Sequence, residues 1–137
     1  MTRRILRTLA AYGEYRAFAA GDPVVQAGDD ADAFYVILRG RVGVTTATEC
    51  SVLREGDYFG EIGLVGDGTR SATAVAVDDL LTLEVPRETF DSVLAREPEL
   101  ARSLLAGLTK RLRSLEQRPW PIAPAAEPGG WALPGLA

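Results

Sequence analysis

Between residues 14 and 86 the chain alternates short runs of apolar, β-branched and aromatic residues with clusters of Gly and Asp. The runs fall at 15–18, 24–26, 34–38, 42–45, 50–53, 73–77 and 80–85, a spacing that predicts short strands closed into a barrel or sandwich. Corners are marked by Gly21-Asp22-Pro23, Gly28-Asp29-Asp30, Gly56-Asp57 and Asp78-Asp79, residue types that supply positive φ, a fixed φ or side-chain-to-backbone turns. Gly40 interrupts what would otherwise be one long strand in Leu38-Arg39-Gly40-Arg41-Val42, and the pattern there predicts a tight hairpin turn.

Helical spacing brackets this β-rich stretch. Thr2 is fit to cap a short N-terminal helix carrying Ile5, Leu6 and Leu9 on one face, with Gly13 as its stop. After Val85 the period changes from two to about 3.6, with Pro86 at a helix start and Phe90, Val93 and Leu94 together on one side. Pro98 and Glu99 open a longer amphipathic helix whose stripe is Leu104, Leu105, Leu108, Leu112 and Leu115, closed by Arg118-Pro119. The last four leucines keep an a/d rhythm that suits either a dimer seam or packing on the roll. Residues 1–118 are therefore expected to form one domain. Residues 119–137, with five prolines and Gly129-Gly130, are expected to form a flexible tail that Trp120 and Trp131 alone could anchor.

Composition narrows the chemistry. With 47% apolar and 25% charged residues, the chain is that of an ordinary soluble globular domain. Its net charge of −4 argues against direct binding to nucleic acid. The N-terminus lacks the apolar run and small-residue site of a secretory signal, and Cys50, standing alone, cannot form an intrachain disulfide. Both suit a reducing, cytoplasmic setting. The chain contains no histidine, so the commonest metal ligand and the commonest general base near neutral pH are missing. Neither a metal nor a cofactor is expected.

Candidate chemistry concentrates in residues 59–75, which begin Phe59-Gly60-Glu61-Ile62-Gly63-Leu64 and return through Thr69-Arg70-Ser71-Ala72-Thr73. Glu61 to Leu64 can make one helical turn whose first N–H groups lack internal acceptors, and Gly60 lets the backbone approach a ligand closely. Arg70 offers a planar fork to a phosphate. Glu61 would repel that phosphate unless it faced a hydrogen-bond donor on the same ligand, such as a ribose hydroxyl. The three features together point to a nucleotide carrying one phosphate charge. The intervening Val65-Gly66-Asp67-Gly68-Thr69 lacks the Gly-Lys-Ser/Thr ending of a triphosphate loop and is taken as a connection.

The same run resembles the phosphate-binding cassette of cyclic nucleotide-binding domains, Phe-Gly-Glu-aliphatic-small-Leu followed by Arg-small-Ala, and matches it at every fixed position. The resemblance extends outward to Gly28-Asp29, the Phe34 to Gly40 segment, Gly56-Asp57 and the Pro86 to Phe90 helix start, covering about residues 14–117. It implies a mainly β fold with flanking helices: an eight-stranded antiparallel, jelly-roll-like β-roll with an N-terminal helix and C-terminal lid helices. It also implies a ligand site made by Phe59, Gly60, Glu61, Ile62, Gly63, Arg70, Ser71 and Ala72. In that site Glu61 would accept from the ribose 2′-hydroxyl and Arg70 would pair with the cyclic phosphate. Backbone amides of Gly60 to Gly63 and of Ser71 would complete the phosphate shell. Arg111, Leu112 and Leu115 are the candidate base lid. In this family a hydroxyl at position 71 can reach the phosphate or a guanine; serine signals guanine less clearly than threonine does, so cAMP is favoured over cGMP. Tyr35, with Phe34 and residues 36–38, is expected in the core.

The expected function is non-catalytic sensing, either by a stand-alone module or by a domain of a larger assembly. Output would pass through an effector protein or a homodimer formed by the C-terminal helix, with no direct membrane contact. A scaffold that keeps the roll but has an empty or self-occupied pocket is the alternative. A metal-dependent enzyme on a similar roll would need clustered histidines.

Overall fold

The computed structural model describes residues 2–116, with side chains up to residue 113. Helix α1 (Arg3–Tyr12) begins where Thr2 accepts a hydrogen bond from the Ile5 amide, and buries Ile5 and Leu9, one turn apart. It stops at Gly13, where a Cβ would lie 2.9 Å from both the Glu84 carbonyl oxygen and Leu83 Cδ1. This glycine is fixed by the closeness of β8 beneath it.

Eight strands follow: β1 (Glu14–Phe18), β2 (Pro23–Val25), β3 (Ala33–Arg39), β4 (Val42–Thr45), β5 (Cys50–Leu53), β6 (Tyr58–Phe59), β7 (Thr73–Ala76) and β8 (Leu80–Pro86), with the short helix α2 (Glu61–Val65) between β6 and β7. They form two antiparallel four-stranded sheets, ordered β1-β8-β3-β6 and β2-β7-β4-β5. Helices α3 (Arg87–Arg96) and α4 (Pro98–Glu116) complete the described chain. Pro86 stands at the N-cap of α3, as its ring allows. Among the described residues no helix is long and apolar enough to cross a membrane.

Seven strands lie where the hydrophobic pattern predicts them, and β6 is the eighth. Two residues between the Gly56 turn and Gly60 are too few to show an alternation. The expected hairpin at Gly40 is not one. β3 and β4 belong to different sheets, and Gly40, at φ 93°, turns the chain from one sheet into the other. A Cβ there would stand 2.4 Å from the Asp79 carbonyl oxygen, so the corner requires glycine on both counts. β4 and β5 form the true hairpin, in register from Val42–Leu53 to Thr45–Cys50.

Strand β3 divides the core. Ala33, Tyr35 and Ile37 join Val42, Phe59, Ala74, Ala76 and Leu80 in one cluster. Phe34 and Val36 join Ile5, Leu9, Leu64, Leu83, Val85, Phe90, Val93, Leu100 and Leu104 in the other. A strand buried on both faces reads as a continuous apolar run rather than an alternating one. In the second cluster the Phe34 ring packs on Phe90 at 4.9 Å and on Tyr58 at 5.5 Å, both tilted.

The chain divides into two compact units, Met1–Leu104 and Leu105–Ala137, with the boundary inside α4. In the described part of the second unit, Leu105, Leu108 and Leu112 are exposed and Thr109 donates to the Leu105 carbonyl at 2.8 Å. The Leu115 side chain and the expected tail, with Trp120 and Trp131, lie outside the described residues.

Candidate functional site

The cassette is built by backbone before any side chain enters. Tyr58 and Phe59 of β6 pair with Val36 and Tyr35 of β3, which sets Gly60 at the edge of the sheet. Gly60 takes φ 97° and caps α2. A Cβ on it would meet Arg70 Nη1 at 2.8 Å and the Ala33 carbonyl oxygen at 3.0 Å. One turn on, a Cβ on Gly63 would meet the Thr69 carbonyl oxygen at 2.7 Å and Ala31 Cβ at 2.8 Å. Both small residues let the turn seat directly on the returning chain, and buried Leu64 anchors it in the core.

The return is pinned by a short antiparallel pairing. The Gly28 amide donates to the Arg70 carbonyl at 2.9 Å, the Arg70 amide to the Asp29 carbonyl at 2.8 Å, and the Ala31 amide to the Gly68 carbonyl at 2.8 Å. An isolated bridge joins Asp30 to Thr69. Asp67 closes the connecting loop by accepting from both the backbone and the hydroxyl of Thr69, bonds that hold its carboxyl below the usual aspartate range. Arg87, at the start of α3, donates to the Ala31 carbonyl and steadies the facing segment from the other side.

This frame holds the Arg70 side chain, 4% exposed. Its Nη2 donates to the Ala33 carbonyl at 2.8 Å and faces Asp32 Oδ1 at 3.4 Å, and its Nη1 donates to the Gly60 carbonyl at 3.3 Å. The guanidinium carbon stands 5.8 Å from the centre of the Tyr35 ring, within cation–π range. Asp32, whose side chain is 85% exposed, sits at the rim. Two neutral carbonyls at 2.8 and 3.3 Å orient the guanidinium, and the exposed Asp32 carboxylate pairs with it at the longer distance of 3.4 Å.

Of the other predicted site residues, Phe59 is buried with its ring stacked on Tyr35, centres 5.0 Å apart. Glu61 is buried at the first position of α2, where a carboxylate suits the helix end. Ile62 and Ser71 are exposed, and Ala72 is half-buried. Every fully buried side-chain nitrogen and oxygen among the described residues has a hydrogen-bond partner. Chemically, the arrangement offers a small anion an oriented cation beside a glycine-opened turn. Of the cassette residues, Gly60 and Arg70 are brought into direct contact. Asp32, the Ala33 carbonyl and the Tyr35 contact are additional to the sequence pattern. Asp32 stands 38 residues from Arg70 in sequence, and a run of Gly and Asp there reads only as a turn. Among the described residues no three His, Cys, Asp or Glu side chains are placed to hold a metal. A shallow depression lined by Phe18, Arg39, Asp79 and Leu80 shares no residue with the cassette.

A double-sheet roll presenting a buried arginine beside a glycine-capped turn defines a small ligand-binding module, and comparison with known proteins gives its class. The family model for the cyclic nucleotide-binding domain matches residues 15–97. The cyclic AMP receptor protein of Thermus thermophilus is 33% identical over 111 residues, covering 77% of this chain and 51% of that protein. The cGMP-dependent protein kinase 2 of Homo sapiens is 31% identical over 113 residues, 77% of this chain but 15% of the kinase. The crystal structure of Thermus thermophilus catabolite activator protein aligns with a TM-score of 0.73 at 31% identity, over 85% of this chain and 57% of that one. The chain belongs to the cyclic nucleotide-binding domain family. It spans about half the length of the bacterial relative.

Proposed function

We propose that this chain is a non-catalytic cytosolic sensor that takes up a cyclic nucleotide at the cassette, cAMP in preference to cGMP. The observation that carries this reading is Arg70: a guanidinium 4% exposed and oriented by the Ala33 and Gly60 carbonyls, so the fold fixes its position and only the exposed Asp32 carboxylate, at 3.4 Å, competes with an arriving anion. The cyclic phosphate pairs with Arg70 and with amides of Gly60, Glu61, Ile62, Gly63 and Ser71. Glu61 accepts from the ribose hydroxyl. Phe59 and Ala72 shape the wall. Support for cAMP is slighter and rests on serine rather than threonine at position 71. The names of the relatives favour neither ligand, since one is a cyclic AMP receptor and another a cGMP-dependent kinase.

Ligand held at Arg70 shifts the population of the C-terminal helix toward closure over the base, with Arg111, Leu112 and Leu115 as the covering side chains. The signal then passes to an effector protein or to a second copy through that helix. Calorimetric titration with cAMP and with cGMP tests the reading. Saturable one-to-one binding, tighter for cAMP, is expected, and no heat with either nucleotide rejects it. Hydrogen exchange in α4 should slow on adding ligand; equal protection rejects closure.

A self-occupied scaffold is the second reading, and the observation favouring it is Asp32 facing Arg70. The contact is long, at 3.4 Å, and Asp32 is 85% exposed, so a phosphate at bonding distance would outcompete it. A rise in the thermal midpoint with cAMP decides for the sensor, because a ligand selective for the folded state stabilises it.

A further inference from the structure

We propose that Tyr35 is a positioning residue for the Arg70 guanidinium, its ring fixed in turn by Glu84 and Arg16. The proposal rests on the reading that Arg70 receives the phosphate. The first sheet carries a row of side chains from one edge to the other, in the strand order β1-β8-β3-β6. Arg16 of β1 donates to Glu84 Oε2 of β8 at 2.9 Å, and the Tyr35 hydroxyl of β3 donates to that same oxygen at 2.8 Å. Tyr35 is in register with both Glu84 and Phe59, and its ring stacks on Phe59 with an interplanar angle of 11°. The row therefore ends at the first residue of the cassette, next to Gly60, whose carbonyl holds Arg70.

Ring and hydroxyl have separate tasks. The ring is the aromatic surface over which the guanidinium lies, and core packing with the stack on Phe59 sets its plane. The hydroxyl adds a directional tie at the ring's far end, to a carboxylate oxygen that also accepts from Arg16. Burial, with the bond to Glu84 adding to it, raises the Tyr35 pKa above its ordinary value of 10.0, so the hydroxyl stays a donor at any physiological pH. A lysine at position 70 could supply charge but not a planar face to match the ring. That difference makes the link testable.

The test measures cAMP and cGMP affinities by calorimetry for the wild type, Tyr35→Phe, Glu84→Gln and Glu84→Leu, each with Arg70 and with Arg70→Lys. With Arg70 in place, Tyr35→Phe and Glu84→Leu should each weaken binding about three- to tenfold. Glu84→Gln, whose amide oxygen still accepts, should bind within about twofold of the wild type. In the lysine background the Tyr35→Phe loss should shrink below about twofold. A wild type that binds and a Tyr35→Phe that binds equally well would overturn the proposal alone, as would an equal loss in both backgrounds. If the wild type binds neither nucleotide, the functional reading falls and the proposal with it. Glu84→Gln preserves shape and hydrogen bonding, so it keeps the comparison sound if Glu84→Leu fails to fold.

Discussion

Arg70 and Arg41 each stand just ahead of a strand of the second sheet and each faces an aspartate, yet they are held in opposite ways. Arg41 makes the better ion pair: Nε and Nη2 meet the two Asp78 oxygens at 2.7 and 2.9 Å. Both partners are about half exposed, at 51% and 42%, so water and salt screen most of the attraction. Arg70 reaches its aspartate only at 3.4 Å and is 4% exposed. Its close partner is the Ala33 carbonyl, at 2.8 Å. A satisfied surface pair has little left to offer a ligand. A cation held closely by a neutral oxygen, with its carboxylate partner exposed and at 3.4 Å, can exchange that partner for an arriving anion, and the role proposed for Arg70 rests on that asymmetry.

The largest break in this contrast comes from deleting each guanidinium. Arg70→Ala should weaken cyclic nucleotide binding about tenfold to a hundredfold or more in calorimetry, the loss of at least one charged hydrogen bond. Arg41→Ala should leave affinity unchanged within about twofold. Equal losses would mean that general electrostatics, not the buried frame, governs binding.

The next effect concerns the glycine that lets Arg70 in. Gly60→Ala forces alanine to φ 97° and drives a Cβ to 2.8 Å from Arg70 Nη1, so it should destabilise the domain by about 1–3 kcal/mol. Gly56 has a similar φ of 91° but open space around its Cβ. Gly56→Ala therefore isolates the backbone strain, and the gap between the two thermal midpoints reads the close approach itself. Identical midpoints would show that Arg70 does not press on Gly60.

What could be seen beforehand follows the same divide. Strands β4 and β5 match the predicted runs at both ends, because short apolar and β-branched runs bounded by polar and turn residues are written in the sequence. The cassette is legible because its glycines, Glu61 and Arg70 are constrained residue types at fixed spacing. Strand β6 is too short for any period, and Gly40 shows that a glycine between two strands marks a corner without saying whether the strands pair. The partners of Arg70 were illegible for a deeper reason. Two are backbone carbonyls, which every residue possesses, and the pairing of residues 28–31 with 68–70 that brings them close has no strand pattern in either segment.

Smaller effects sharpen the exposed side of the comparison. Arg41→Ala should lower the denaturant midpoint only slightly, and by less again at high salt. The hydrogen bond from Arg41, more than its charge, lowers the Asp78 pKa from the ordinary 3.8. A folded-state pKa that is lowered contributes stability above the unfolded value and loses it as pH falls through the folded one. The wild type should therefore lose a small advantage over Arg41→Ala as pH drops below 3.8, and parallel curves down to the acid transition would show that the pair contributes nothing.

The most direct test watches the two arginines at once. In nitrogen-15 correlation spectra of the side-chain Nε–H groups, assigned by the signals lost in Arg70→Lys and Arg41→Lys, cAMP should displace the Arg70 resonance. Its midpoint should equal that of the calorimetric titration, with Arg41 stationary. Nucleotide binding that saturates while the Arg70 signal stays in place would contradict the account.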